Sequence, residues 1–238
     1  MNRPDGIVTP PTQELQAAQD MINNGQSEQA LSRLGNQSGG EFLEHRWRDY
    51  LSGTAYFTAK DLEKGFGLLN GCYEKIKSRP ESTSEELRLA GLCLKKMGWY
   101  YRKAKDYTKA FTYHSYRLHY ALDTGSPLEV HDALISLDVD AYFMKEGALS
   151  ERILKQSIRF GEQVADKKLR VMALGTSFNN LGGTLYGNKK FAEAESAILQ
   201  SLKHWQSYED LAGTKENRVV WAYFGIGDVY ENWAKHLK

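Results

Sequence analysis

The sequence predicts an all-α protein built from repeated helix pairs. Proline is scarce in the body of the chain, because three of its five prolines stand among the first eleven of 238 residues. A proline inside a helix costs about 3 kcal/mol, so a long body nearly free of proline favours helices. Apolar residues recur along that body at helical spacing. A small residue also returns every 35 to 45 residues, which indicates a repeat.

The chain divides into five helix pairs and a last helix after a short lead-in. Residues 1–11 are polar and proline-rich, which is typical of a disordered terminus. Clusters of glycine, proline and asparagine mark the breaks between the helical stretches. The predicted pairs cover residues 12–38, 41–80, 83–125, 126–166 and 167–210, and a terminal helix covers residues 215–238.

The first two pairs begin and turn at residues that favour helix ends. A helical run follows Thr12 and breaks at Asn23-Asn24-Gly25. In the second pair, Gly39-Gly40 precedes an aromatic-rich helix, and Asp61 is the expected N-cap of its partner. Pro80 ends this pair.

The third and fourth pairs carry the clearest start signals. The run Ser82-Thr83-Ser84-Glu85-Glu86 contains two overlapping capping boxes, either of which starts a helix. The fourth pair follows Gly125 and starts at Ser126-Pro127-Leu128-Glu129, which combines an N-cap serine with proline at the first helical position. Gly147 separates its two helices.

The fifth pair turns at Gly187-Asn188, and its second helix begins near Phe191. Residues 210–214 are predicted to form a loop. The terminal helix is predicted from Asn217 to Leu237.

A common register joins these units. Small residues mark the first helices, and a second small residue follows each of the first five marks by twelve positions. A small residue lets two helix backbones approach closely, so these positions are predicted to pack. The marks are Ala18, Gly53, Gly98, Asp138, Gly182 and Gly227, and the followers are Ala30, Gly65, Ala110, Ser150 and Ala194.

The register resembles the tetratricopeptide repeat across residues 12–238. The best matches to the family pattern are Leu94-Met97-Gly98-Tyr101-Ala110 and Phe178-Leu181-Gly182-Leu185-Ala194. Two features depart from it: the spacing exceeds the usual repeat of about 34 residues, and Asp138 stands where glycine is expected. The longer spacing resembles variants found in sensor and motor-adaptor proteins. The resemblance implies a right-handed superhelical solenoid of about five helix pairs plus a terminal helix.

The same resemblance implies that the first helices line a concave surface for a peptide or a partner helix. Aromatic residues and arginine are common interface anchors, and an asparagine amide can bind a peptide backbone. The alternative is that the aromatics pack between repeats and that the basic residues are simply exposed. The implied binding residues are Trp47, Tyr50, Phe57, Lys95, Trp99, Arg102, Lys103, Tyr142, Phe143, Asn179, Tyr186, Phe224 and Asp228.

Two neighbouring stretches carry opposite charge. Residues 95–109 contain six basic side chains and one acid, whereas residues 129–146 contain five acids and one lysine. One interpretation is a basic site for an acidic partner. The other is that adjacent units pair electrostatically, or that both stretches are solvated faces.

Other functional classes have no support in the sequence. It contains no metal-ligand, phosphate-loop or nucleophile motif, so we expect no metal, no cofactor and no enzyme activity. Lys and Arg number 31 and Asp and Glu number 30, which gives no general attraction to nucleic acid. The chain shows no secretory signal and no membrane-spanning run, which favours a cytoplasmic location. Cys72 and Cys93 are expected to be buried thiols.

The predicted function is that of a protein-interaction module, in a scaffold or adaptor role. One alternative is a regulatory or sensor module of a signalling or transcription-control system. A further alternative is self-assembly into a homo-oligomer through exposed end repeats.

Overall fold

The protein is all-α, as the sequence predicts. The computed structural model describes residues 9–35, 39–215 and 217–236, and within these ranges it contains eleven helices and no strand. Most of the predicted disordered lead-in lies outside the described residues. The helices are α1 (Gln13–Asn23), α2 (Ser27–Gly35), α3 (Phe42–Thr58), α4 (Leu62–Lys77), α5 (Ser84–Lys103), α6 (Tyr107–Thr124), α7 (Pro127–Phe143), α8 (Gly147–Glu162), α9 (Lys167–Gly187), α10 (Phe191–Ala212) and α11 (Asn217–His236).

The helices form two compact units. The amino-terminal unit, Ile7–Thr124, holds α1 to α6, and the carboxy-terminal unit, from Gly125 onward, holds α7 to α11. In each unit the helices pack as consecutive pairs, and the second helix of one pair also packs against the first helix of the next. The expectation of five helix pairs followed by a last helix is therefore confirmed. Across the described residues, no helix combines the length and apolar character that a membrane crossing needs.

The same turn joins the two helices of every pair. Each turn contains one residue with a positive φ, and that residue always lies seven positions after the small mark of its unit. Its amide donates to the carbonyl three residues earlier, and the next amide donates to the carbonyl five residues earlier, which caps the helix end. The five turn residues are Gly25, Lys60, Lys105, Lys145 and Lys189. The constant offset between mark and turn residue supports the register independently of residue size. It holds in the fourth unit too, where the mark is Asp138.

Replacement of the turn residue Lys145 by glycine is expected to stabilise the protein. The backbone of Lys145 has a φ of 63°, which strains a residue with a Cβ but not glycine. The greater flexibility of glycine when unfolded offsets part of this gain. We expect Lys145→Gly to raise the free energy of unfolding by about 0.5 to 1 kcal/mol, measured by urea titration. Gln156→Gly, at an exposed position inside α8, should instead lower it by about 1 kcal/mol.

Helix starts follow the predicted caps, and the structure decides between the two overlapping capping boxes. The Glu86 amide donates to the Thr83 hydroxyl at 3.2 Å, and the Thr83 amide donates to the Glu86 carboxylate at 2.8 Å. Ser82 takes no part in this box, because its hydroxyl donates to the carbonyl of Ile76. Ser126 caps α7 as predicted. One boundary prediction is wrong: α10 continues to Ala212, so most of the expected loop at residues 210–214 is helical.

The marked small residues lie where helices of a pair approach each other. A Cβ on Gly53 would come within 3.0 Å of the carbonyl oxygen of Gly65, and a Cβ on Gly65 within 2.8 Å of the carbonyl oxygen of Gly53. In the fourth pair, Asp138 and Ser150 replace this backbone contact with a hydrogen bond of 2.6 Å. All five following small residues, from Ala30 to Ala194, are buried. Gly227 behaves differently, since a Cβ added there would meet nothing within 4 Å.

The two cysteines are buried thiols, as predicted. Cys72 and Cys93 are free and fully buried in the core of the amino-terminal unit. The Cys72 thiol donates to the carbonyl of Arg46 at 3.3 Å. Burial, followed by the neighbouring Cys72, raises the pKa of Cys93 well above its ordinary value. A thiol of this kind is protonated and unreactive at neutral pH.

Candidate functional site: a groove between α7 and α9

Four of the predicted binding residues meet in one groove of the carboxy-terminal unit. The groove lies along α7 and α9, the first helices of the fourth and fifth pairs, and has a volume of about 380 Å³. Two of these four residues come from the end of α7 and two from α9. We call this surface the α7–α9 groove. It is lined by Asp138, Val139, Tyr142, Phe143, Asn179, Asn180, Gly183, Thr184 and Tyr186.

Two aromatic rings form an open rim at the end of α7. Tyr142 is 58% exposed and Phe143 is 46% exposed, which is high for side chains of this size. Their rings meet edge to face, with centroids 5.7 Å apart. Tyr186, on α9, is half-buried, and the centroid of its ring lies 6.0 Å from that of Phe191. Exposed aromatic area that is already ordered can bind a partner with little loss of side-chain entropy.

A polar network holds the floor of the groove. The carboxylate of Asp138 accepts a hydrogen bond from the Ser150 hydroxyl at 2.6 Å and another from the Asn180 amide at 3.0 Å. The hydroxyls of Ser150 and Thr184 lie 2.8 Å apart. Because Ser150 donates to Asp138, Thr184 is the donor in this second contact. Asp138, Ser150 and Thr184 are all buried, so the network fixes α7, α8 and α9 beneath the open rim.

A second buried hydrogen-bond network joins α7 to α9 nearer the start of α7, whereas the rim lies at the end of that helix. The Nε2 atom of His131 lies 3.0 Å from the carbonyl oxygen of Ala173 and 2.9 Å from the Ser177 hydroxyl. A carbonyl only accepts, so Nε2 carries the proton. Ser157 on α8 donates to Ser177 at 2.8 Å. The two networks therefore set the spacing of the helices that form the groove.

Three aromatic residues predicted to bind a partner are instead part of the core. Trp47 is 2% exposed, Tyr50 is buried with it, and their rings meet edge to face at 5.6 Å. Phe57 is also buried and packs on Trp99 at 5.7 Å. Burial raises the pKa of the Tyr50 phenol, as expected for a hydroxyl removed from water. This corrects the sequence-based assignment, because a side chain enclosed on all sides presents no surface to a partner.

The predicted residues on α5 lie in the amino-terminal unit and do not line the α7–α9 groove. The ammonium group of Lys103 lies over the ring of Trp99 at 5.3 Å. Arg102 contacts the His114 ring at 3.4 Å, and the His114 Nε2 atom lies 3.3 Å from the carbonyl oxygen of Lys95. These contacts join the four residues to their own helix pair. Lys103 remains exposed, while Lys95, Trp99 and Arg102 are half-buried.

The last two predicted residues lie on α11. Asp228 is exposed and is not among the residues that line the groove. Phe224 belongs to the helix, but its side chain lies outside the described part of the structure.

Sequence reasoning missed a second concave surface, which lies in the amino-terminal unit. Tyr73, Tyr101, Tyr113, Tyr116 and Tyr120 line a cleft of about 600 Å³ between α4 and α6. Burial, together with the neighbouring Tyr101, raises the pKa of Tyr113 to about 12. The signal was present in α6, where three tyrosines recur at helical spacing, but the register points to first helices only.

Within the described ranges, no group of three potential metal ligands occurs.

Comparison with known proteins places the fold among tetratricopeptide-like repeats. No family model matches the chain, and no curated protein sequence matches it. BtubC from P. vanneervenii matches with a TM-score of 0.65 and 12% identity, over 92% of this chain and 82% of that one. Putative kinesin light chain TPR-like repeats from Podosopora anserina match with a TM-score of 0.60 and 12% identity, over 80% of this chain and 92% of the other.

A third similar structure is a Rap protein solved in complex with Competence and Sporulation Factor. It matches with a TM-score of 0.58 and 13% identity, over 94% of this chain and 71% of that chain. At such low identity these likenesses describe the fold alone. The TPR-like fold predicted from the register is confirmed.

Proposed function

We propose that this protein is a protein-interaction module whose α7–α9 groove binds an extended segment of a partner protein. The observation that carries the proposal is the convergence of Tyr142, Phe143, Asn179 and Tyr186 on one open concave surface. The fold supports it, because stacked helix pairs commonly present such surfaces for binding. The proposal is one of binding in a cytoplasmic scaffold or adaptor role, not of catalysis.

Each part of the groove has a role in this proposal. The rings of Tyr142 and Phe143 anchor an apolar or flat group of the partner, since large exposed aromatics are frequent binding hot spots. The exposed amide of Asn179 on the facing helix can both donate to and accept from a peptide backbone. The buried network around Asp138 joins α7, α8 and α9, the helices beneath these side chains, before the partner arrives.

The test is a selection of peptides from a random displayed library on the immobilised protein, followed by affinity measurements. We expect peptides with saturable binding, and Tyr142→Ala should weaken them at least about tenfold, as for a hot-spot residue. Tyr116→Ala is the comparison variant, because Tyr116 is 53% exposed but lines the second concave surface, in the other unit. Equal loss in both variants, or no selected peptide, would contradict the proposed site.

A regulatory or sensor role is the second candidate. It is favoured by the likeness to the Rap protein, whose structure contains a bound factor and which matches 94% of this chain. In that role, occupation of the groove would control the protein's contact with another partner. A peptide selected on the groove that changes the set of proteins retained by the full chain would support this role.

A further inference from the structure

The charge of the α7–α9 groove is opposite to that of the basic residues on α5. Among the nine residues that line it, Asp138 is the only acid, and none is lysine, arginine or histidine. Three lysines follow the groove residues closely in sequence. Lys145 and Lys189 are exposed in the turns after α7 and α9, and Lys190 directs its ammonium group to Glu151 at 2.9 Å. The groove therefore joins a carboxylate on its floor to aromatic rings on its wall and rim.

Hydrogen bonds and burial act in opposite directions on the charge of Asp138. Ser150 donates to one carboxylate oxygen and Asn180 donates to the other, and a carboxylate that accepts from two donors is stabilised as the anion. Asp138 is 3% exposed, and this burial disfavours the charged form, whereas the charge that the hydrogen bonds retain is weakly screened by water. Because Asp138 lines the groove, its charge acts on a group bound there.

The aromatic rings add a second attraction for the same kind of group. The faces of tyrosine and phenylalanine rings carry negative potential and attract cations placed over them. Tyr142, Phe143 and Tyr186 all line the groove, and the first two are widely exposed. An acidic side chain would be repelled both by these ring faces and by Asp138. A neutral apolar side chain would contact the rings but gain nothing from the field of the carboxylate.

We infer that the α7–α9 groove recognises a cationic side chain of the bound segment, with arginine preferred over lysine. This inference rests on the proposed function and names the chemistry of its ligand. Arginine is preferred because its guanidinium group is planar, stacks on aromatic rings and loses its water more easily than an ammonium group does. The exposed amide oxygen of Asn179 supplies a further acceptor at the groove.

The test compares peptides from the library selection that differ only in this one side chain. We expect an arginine or lysine at a fixed position among the selected peptides. Replacing that arginine by citrulline, which keeps the shape but removes the charge, should weaken binding about tenfold. Replacing it by lysine should have a smaller effect, and added salt should weaken the arginine peptide more than the citrulline peptide.

Two variants assign the preference to the groove. Tyr142→Leu keeps an apolar side chain but removes the ring, and should reduce the ratio of arginine to citrulline affinity about threefold. Asp138→Asn should bring the same ratio close to one, whereas Asp228→Asn, at an exposed acid of α11, should leave it unchanged. Asp138→Asn disturbs a buried network. If that variant unfolds, the Tyr142→Leu result alone decides whether the groove carries the arginine preference.

The failure of this inference differs from the failure of the proposed function. Selected peptides that depend on Tyr142 but lack a fixed cation, or that bind equally well with citrulline, would overturn the cationic preference alone. If no peptide binds, or if binding ignores Tyr142, the groove is not the site and both proposals are wrong.

Discussion

Replacement of Trp47 by alanine is expected to lower the free energy of unfolding by about 4 kcal/mol. The Trp47 side chain is 2% exposed and packs edge to face against Tyr50 within the core of the amino-terminal unit. Its removal would leave a large cavity in this core, which the surrounding helices close only in part. The loss combines the transfer energy of the ring with the cost of that cavity.

Chemical denaturation followed by far-ultraviolet circular dichroism measures this change without using tryptophan fluorescence. Tyr142→Ala is the matched control, because it also removes a large aromatic but from a site that is 58% exposed. We expect the control to change the free energy of unfolding by no more than about 0.5 kcal/mol. A Trp47→Ala protein as stable as this control would contradict the core assignment and restore Trp47 to the binding surface.

The contrast between Trp47 and Tyr142 shows what the register could not decide. Both residues lie on first helices, and both belong to the predicted binding set. Helix α3 packs against α1, α2, α4 and α5, so almost every face of it is buried. Among the described helices of its own unit, α7 packs only against α8 and α9, and the end of one face stays open. Spacing places a residue on a helix face, but the neighbours of that face are a tertiary property.

The fold itself was predictable because several local signals agree with one another. Helix caps, scarce proline and small residues at a fixed offset are all properties of short sequence segments. The register was least predictable at Asp138, because a charged residue stands there in place of the expected glycine. Its partner Ser150 satisfies the carboxylate, which allows the fourth pair to keep the common register. That pairing joins residues twelve positions apart, and the hydrogen bond from Asn180 comes from a different pair.

The groove was predictable in its aromatic residues but not in its charge. From the sequence alone, a basic site and solvated charge were both open, because spacing does not show which charged side chains share a cavity. The side chains of Lys103 and Arg102 on α5 contact Trp99 and His114 of their own unit. Asp138 was interpreted as a spacer between helices, although its carboxylate also belongs to the floor of the groove.

Replacement of Gly65 by alanine is expected to lower the free energy of unfolding by about 3 kcal/mol, since it overpacks a tight helix crossing. Its new Cβ would lie 2.8 Å from the carbonyl oxygen of Gly53, a backbone atom that can move only with helix α3. The same Cβ would also collide with the ring of Phe57, which is buried and packed on Trp99. Helix α4 would therefore have to shift away from α3.

Gly67→Ala provides a control two residues away in the same helix. Gly67 is exposed and nothing lies within 4 Å of a Cβ placed there, so alanine adds helix propensity without a clash. We expect this variant to gain about 1 kcal/mol in the same denaturation experiment. Opposite signs at these two positions are the specific result of a close crossing at Gly53 and Gly65. If both alanines stabilise the protein, the two helices of the second pair do not approach at these glycines.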